Sequence, residues 1–226
     1  MITFQNVSKK FAGGVAALVK VSFSVEPGEF VFLIGPSGAG KTTLLKLLIG
    51  ETRASSGKII FNDRDITKSS KKEIARLRRK IRMVFQDFKI LHDRTVLENV
   101  LLALNILGKK GKDAENEAKK ILKLVGLEEK YNFFPMQISA GELQRVSIAR
   151  ALAGEPKVLL ADEPTGNLDP ATGKEILKLL SEINADGTTV MVTTHNAQFV
   201  DQTKKRVIAL DKGELKRDVK EGTYAS

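Results

Sequence analysis

The sequence predicts an α/β protein with a mostly parallel core sheet, an antiparallel β part at the N-terminus and a helical lobe inserted in the middle. Three observations carry this expectation. Short, wholly apolar runs, such as residues 30–34 and 158–161, recur along the chain. Runs of that kind suit strands covered on both faces, as in a parallel sheet flanked by helices. Segments of helical periodicity separate these runs, which is the alternation expected of a parallel sheet. Near the N-terminus apolar and polar residues alternate instead, as in a half-covered antiparallel strand.

In chain order, Ile2 and Phe4 alternate with polar neighbours, and Val21, Phe23 and Val25 alternate with Ser22 and Ser24. Residues 30–34 follow as five consecutive apolar residues between Gly-Glu and Gly-Pro, and a helix is expected from Gly40 to about Ile49. Residues 81–85 and 158–161 read as further buried strands, and 188–193 and 206–210 complete the set, with a helix over 170–184. Across the middle, Val96, Val100, Leu101, Leu104 and Leu107 recur at helical spacing, as do Ala118, Ile121, Leu122 and Val125. Residues 88–155 therefore read as helical throughout. We expect a single domain over 1–226, with 1–87 and 156–226 as its core and 88–155 as the lobe; no internal repeat or low-complexity linker interrupts it.

Composition narrows the class. Of 226 residues, 42% are hydrophobic and 28% charged, which excludes a disordered or collagen-like chain. The absence of cysteine excludes a disulfide scaffold and a thiolate metal site. No apolar run approaches the ~18–20 residues of a membrane span, and residues 1–11 lack the continuous apolar stretch of a signal peptide. The expectation is an intracellular chain without a membrane anchor of its own. The net charge of +10 is uneven: residues 1–86 hold 16 basic and 6 acidic residues, residues 87–226 hold 21 of each. Eight basic residues lie between Lys68 and Arg82 against one acid, Glu73. This segment reads as a solvated helix face, or as a face for an anionic membrane surface or an acidic partner. Nucleic acid is the weakest of these readings, since no zinc-finger spacing, RNA-binding signature or Trp is present.

The chemistry starts at Gly35-Pro36-Ser37-Gly38-Ala39-Gly40-Lys41-Thr42, which fits the phosphate-loop pattern G-x-x-x-x-G-K-[ST] between a buried strand and a helix. Glycines let the backbone wrap a phosphate closely, while backbone N–H groups and the helix N-terminus supply positive potential. Lys41 is expected to reach the β- and γ-phosphates, Thr42 to ligate Mg²⁺ and Thr43 to add a phosphate contact. An acid is needed at the end of another buried strand, and Asp162-Glu163 supplies it. Asp162 is expected to hold Mg²⁺ through water, and Glu163 to orient or activate the attacking water.

At this point the chain resembles the ATP-binding subunits of ABC transporters, over almost its whole length. Ile138-Ser139-Ala140-Gly141-Glu142-Leu143-Gln144-Arg145 is similar to the family's signature. The resemblance implies a phosphate-loop NTPase fold of ABC type and two subunits paired head to tail, with Ser139, Gly141 and Glu142 of one closing over the γ-phosphate held by the other. Ser139-x-x-Glu142 is also a capping box for the helix it opens. The chain departs from the family at Ala140, where glycine is usual and the extra methyl lies at the expected interface, and at Leu143, where glutamine is usual. Gln86 resembles the loop glutamine that senses Mg²⁺ and the membrane partner. Asn167-Leu168-Asp169 resembles the dimer-facing loop, His195 the switch histidine that contacts the γ-phosphate, and Phe11 the aromatic that stacks on adenine. His92 has no such context and reads as surface.

A finer resemblance, carried by residues 84–96, by Thr194-His195-Asn196 and by residues 205–210, is to the cell-division branch of the family. It implies a homodimer that binds ATP and Mg²⁺ at the cytoplasmic face of the inner membrane. This dimer would move an integral membrane protein of the FtsX type, held near residues 86–99, and so regulate cell-wall hydrolysis. An ATPase of a lipoprotein-releasing or macrolide-exporting system remains the alternative.

Overall fold

The computed structural model describes residues 1–224. Two sheets and seven α-helices make up this part of the chain. Strands β1 (Ile2–Lys10), β2 (Ala16–Val25), β4 (Ser56–Phe61) and β5 (Arg64–Asp65) form an antiparallel sheet in the order β2-β1-β4-β5. The second sheet runs β10-β9-β3-β8-β7-β6, from β3 (Phe30–Ile34), β6 (Ile81–Val84), β7 (Val158–Asp162), β8 (Thr189–Thr193), β9 (Arg206–Asp211) and β10 (Glu214–Val219). Its five strands from β9 to β6 are parallel, and β10 closes one edge antiparallel to β9.

The apolar run of β3 has a simple cause. Phe30, Phe32 and Ile34 enter one core, and Val31 and Leu33 enter another on the opposite face of the sheet. β7 divides likewise, with Leu159 and Ala161 on one side and Val158 and Leu160 on the other. The first core lies beneath the helices α3 (Val96–Ile106), α4 (Gly111–Leu124), α5 (Ala140–Leu152) and α6 (Pro170–Ala185). The second lies between the parallel sheet, the antiparallel sheet and α1 (Lys41–Leu48). A polar residue within β3 or β7 would meet apolar neighbours on whichever face it took.

The expected strands of the parallel sheet and the helices of 40–49 and 170–184 are present to within a residue or two, and β1 and β2 run several residues beyond the alternating residues 2–4 and 21–25. Elements with weaker local signals were not foreseen, β4, β5, β10 and α7 (Ala197–Thr203), while α2 (Lys71–Leu77) is the helical part of the basic segment 68–82. Two expectations need correction. The basic segment 68–82 is not one helix face; α2 ends at Leu77 and Arg82 lies within β6. Nor is 88–155 helical throughout. Residues 88–95 form a loop, and only short 3-10 turns at Glu128–Lys130 and Pro135–Gln137 lie between α4 and α5. The loop departs from helix because Phe88 and Lys89 both adopt positive φ, 57° and 51°. Side chains from two helices then hold it. Arg150 of α5 donates to the carbonyls of Phe88 and Lys89. The buried Asn99 of α3 donates to the carbonyls of Leu91, Arg94 and Thr95 and accepts from the Leu91 N–H.

Candidate active site

Three neighbouring strands, β3, β8 and β7, deliver the site at their C-terminal ends, where ligands of open parallel sheets bind. After β3 the chain turns at Gly35, with φ 141°, where an added Cβ would lie 2.0 Å from the Leu210 carbonyl oxygen. Gly40 caps α1 in a left-handed conformation, and a Cβ there would lie 2.4 Å from the carbonyl oxygen of Ala17. The loop is thus seated on β9 and β2 so closely that both positions exclude a side chain. Ser37 to Thr43 line an open hollow together with Glu163 and His195. Ala39 is itself buried, with its N–H donating to the Pro36 carbonyl at 3.2 Å.

Lys41 is buried, and its Nζ donates to the carbonyls of Gly35 at 2.8 Å and Pro36 at 3.1 Å. Burial lowers its pKa, partly offset by the carboxylates of Glu163 and Asp162. Across the hollow β7 ends at Asp162, and Glu163 takes φ 47°. Thr193 of β8 holds this turn: its Oγ1 accepts the Glu163 N–H at 2.8 Å and donates to Asp162 Oδ1 at 2.7 Å. Asp162 Oδ1 also accepts from Thr42 Oγ1 at 3.1 Å. His195 Nε2 lies 2.6 Å from Glu163 Oε1 and 3.2 Å from Lys41 Nζ. One ring nitrogen cannot donate and accept at once. The shorter contact is to the carboxylate, so the Nε2 proton points to Glu163 and Lys41 stands beside the pair.

The donor set suits magnesium. Thr42 and Asp162 bring hard oxygen ligands together at the rim of the phosphate loop, and the described residues hold no group of three or more His, Cys, Asp or Glu that would cage an ion alone. Mg²⁺ is commonly held in this way, by one or two protein oxygens with phosphates and water completing its shell. Gln86 is exposed and packs against Gly166, and its carbonyl accepts from Asn167 Nδ2 at 3.1 Å. The structure therefore brings Gln86 to the loop that follows Glu163, not to Thr42 or Asp162.

Ser139, Gly141 and Glu142 form a second cluster at the start of α5. Ser139 Oγ accepts the Glu142 N–H at 3.2 Å, and Glu142 accepts the Ser139 N–H at 2.8 Å, so the capping box is complete. The Ser139 N–H, and more weakly Lys130, hold the Glu142 carboxyl below its usual range. A Cβ on Gly141 would come within 2.4 Å of Thr172 Cγ2 in α6. Asp169 caps that helix by accepting from the N–H groups of Ala171 and Thr172, both at 3.0 Å, and its pKa is lowered by its hydrogen bonds to Thr172. Leu143, unusual for the family at its position, packs against the main core. Ser139 and Ala140 are exposed, and none of this cluster lines the hollow of the phosphate loop. Phe11 is 45% exposed on the β1–β2 turn, so it is no core residue, and Lys9 Nζ stands 4.9 Å from its ring centre. His92 is exposed, as expected.

Three residues that sequence reasoning did not single out shape the site. Thr193 orients both acids, and Arg150 and Asn99 fix the loop behind Gln86. Only Thr193 had a local signal, at the end of an apolar strand directly before Thr194-His195.

Comparison with known proteins agrees with this geometry. The family model described as ABC transporter matches residues 18–166. The cell division ATP-binding protein FtsE of Bacillus subtilis is 47% identical over 226 residues, covering 100% of this chain and 99% of that protein. The Escherichia coli K12 protein of the same name is 49% identical over 215 residues, covering 95% and 97%. Among solved structures, the dimeric post-hydrolysis state of the ATP-binding cassette MJ0796, bound to ADP and Pi, superposes with a TM-score of 0.89 at 37% identity, covering 98% of this chain and 99% of that one. Identity at this level to cell-division proteins does not favour the lipoprotein-releasing or macrolide-exporting alternative. With the phosphate loop, the Asp162-Glu163 strand end and the capped signature helix in place, the chain belongs to the ABC transporter ATPase family, among the cell division ATP-binding proteins of the FtsE type.

Proposed function

We propose that this chain binds and hydrolyses ATP as one half of a homodimer and uses closure of that dimer to drive an FtsX-like integral membrane protein that regulates cell-wall hydrolysis. The observation that carries the reading is Glu163, held by His195 at 2.6 Å in the hollow that the phosphate loop lines with Lys41 and Thr42. Glu163 orients the attacking water and takes its proton as the new phosphorus–oxygen bond forms and the bond to the ADP oxygen breaks. His195 fixes the Glu163 carboxylate and contacts the γ-phosphate. Lys41 exchanges the Gly35 and Pro36 carbonyls for the β- and γ-phosphates, and the backbone of Gly35 to Thr43 cradles them. Phe11 stacks on adenine with its exposed ring face. Thr42 and Asp162 would hold Mg²⁺, which would neutralise developing phosphate charge, and Gln86, seated against the loop after Glu163, would join them only on closure.

Ser139, Gly141 and Glu142 lie outside the hollow of their own chain, which supports their service to the nucleotide of a second copy, with Asp169 at the same interface. Residues 88–155 act as the lobe that carries this signature and, near Gln86 to Asn99, meets the membrane partner. Among the described residues no helix is long and apolar enough to cross a membrane, which is compatible with a peripheral subunit on the cytoplasmic face of the inner membrane. The exposed cations Lys68, Lys71, Lys72 and Arg76 then face anionic lipid. Vesicle binding by the isolated protein that fades with added salt is the expected result, and none at low salt would remove the lipid contact.

The central test is affinity purification of the Glu163→Gln variant from membranes with ATP present. Retained ATP, lost hydrolysis and a co-purifying membrane protein with a large external loop are expected. A variant that hydrolyses ATP like the parent would overturn the assignment of Glu163.

A further inference from the structure

Glu142 brings a negative charge to the helix end that serves a second copy's nucleotide in the reading above. The free N–H groups at the start of α5 attract a phosphate chain. A carboxylate beside them opposes its approach, and like charges repel more strongly as an interface expels water. The capping box does not require that charge. It uses one carboxylate oxygen, Oε2, to accept the Ser139 N–H at 2.8 Å, and the amide oxygen of a glutamine can accept in the same way.

The other oxygen, Oε1, faces Lys130 Nζ at 3.4 Å. Lys130 ends the 3-10 turn Glu128–Lys130 and is well anchored. Its N–H donates to the carbonyl of Leu127, a buried residue, and its own carbonyl accepts the Phe133 N–H, both at 3.0 Å. Its Nζ stands 4.6 Å from the centre of the Phe133 ring. The Phe133 carbonyl accepts the Val96 N–H at 2.8 Å, which ties this turn to the start of α3. The first basic residue of α5, Arg145, is committed elsewhere, to Glu175 at 2.8 Å and to the Val125 carbonyl at 2.9 Å. Among the described residues Lys130 is thus the cation that meets Glu142. Both side chains stay partly solvated, 32% and 27% exposed, and ion pairs of this kind contribute little to folding.

We propose that Lys130 is a positioning residue for the shared nucleotide site: it neutralises and holds Glu142, so that the signature can close over the phosphates carried by a second copy. The proposal rests on the reading above that Ser139, Gly141 and Glu142 serve that nucleotide. It adds the residue that makes a charged signature compatible with a triphosphate.

The experiment measures MgATP-dependent dimer formation by sedimentation, with the full chain in the Glu163→Gln background, at low and at raised salt. It compares Lys130→Met, Lys130→Arg, Glu142→Gln, the pair Lys130→Met with Glu142→Gln, and Ser139→Ala. Lys130→Met should weaken the dimer about tenfold at low salt, a modest share of what juxtaposed like charges cost at a dry interface, because Glu142 stays partly solvated. The gap should narrow as salt screens the repulsion. Lys130→Arg should match the parent, Glu142→Gln alone should dimerise at least as tightly, and the pair should return to parental affinity. A merely structural role for Lys130 predicts neither the salt dependence nor that recovery. The thermal midpoint of Lys130→Met should stay near that of the parent, and a large fall would make Lys130 a structural tie and overturn the proposal. No recovery in the pair would overturn charge compensation and leave Lys130 acting on the phosphates directly. Parental affinity in Lys130→Met, with the dimer lost in Ser139→Ala, would overturn the role of Lys130 alone. Parental affinity in both would overturn the placement of the signature over a second copy's nucleotide, and this proposal with it.

Discussion

The phosphate loop and the loop of residues 86–95 both end at the site, yet they are held by different means. The phosphate loop is fixed by backbone: Gly35 and Gly40 fit against the carbonyls of Leu210 and Ala17, and Lys41 ties back to its own loop. The 86–95 loop is fixed by side chains from elsewhere, Arg150 from α5 and Asn99 from α3. A backbone-fitted loop suits a ligand that is the same in every turnover, the phosphate chain. A loop hung from helices moves when those helices move, which suits a sensor of a partner. The contrast predicts that damage to the first abolishes chemistry, whereas damage to the second loosens coupling.

The largest expected effect is at Glu163. Glu163→Gln should lower the hydrolysis rate ~10²–10⁴-fold while ATP binding survives, because the phosphate loop does not depend on that carboxylate. Single-turnover hydrolysis beside a binding isotherm separates the two. Next comes Gly35→Ala. A methyl 2.0 Å from the Leu210 carbonyl, on a φ of 141°, forces the loop off β9. Overpacking typically costs ~1–3 kcal/mol, and because backbone is the obstacle here we expect the upper end together with loss of ATP binding. Thermal unfolding with and without ATP checks it: the stabilisation by ATP should vanish as well as the midpoint fall.

On the other side of the comparison, Asn99→Ala removes the side-chain amide whose two N–H groups are shared among the carbonyls of Leu91, Arg94 and Thr95 and whose oxygen accepts the Leu91 N–H. The Leu91 and Thr95 carbonyls keep the backbone N–H groups of Arg94 and Asn99, but the Arg94 carbonyl and the Leu91 N–H lose their partner; leaving such groups unpaired costs ~1–3 kcal/mol, so a lower midpoint is expected with near-normal ATP affinity. Equal loss of affinity in Asn99→Ala and Gly35→Ala would erase the distinction between the two loops.

The same difference explains what was legible in the sequence. β3, β7 and β8 were readable because burial on both faces demands uninterrupted apolar residues. The phosphate loop was readable because close backbone approach demands glycine at fixed spacing. Residues 88–95 were misread as helix because their geometry comes from Arg150 and Asn99, the first of them some sixty positions away, and no local pattern announces such a bond. Arg82 falls both in the basic segment 68–82 and in the strand expected over 81–85, and its place in the edge strand β6, partly buried, decides between them. β10 pairs only with β9 and its residues are mostly exposed, so its apolar pattern is weak.

The smallest effect on stability gives the sharpest test of the signature. Three helices begin with the same capping box: Ser70–Glu73, Thr95–Glu98 and Ser139–Glu142. In all three the backbone N–H of the cap residue, first among the causes, lowers the glutamate pKa. Because the folded pKa is depressed, each contribution is present above the ordinary carboxylate pKa and is lost as pH falls through the folded value. Locally the boxes are alike, so Ser70→Ala and Ser139→Ala should each cost ~1 kcal/mol of stability, read as similar small drops in thermal midpoint. Function should separate them. Ser70 caps α2, which has no contact with the hollow of the phosphate loop, whereas Ser139 is exposed at a helix end aimed outward with Ala140 beside it. If that end closes on the nucleotide of a second copy, Ser139→Ala lowers ATPase activity and ATP-dependent dimer formation, and Ser70→Ala leaves both unchanged. Equal activity in the two variants would reduce Ser139 to an ordinary cap.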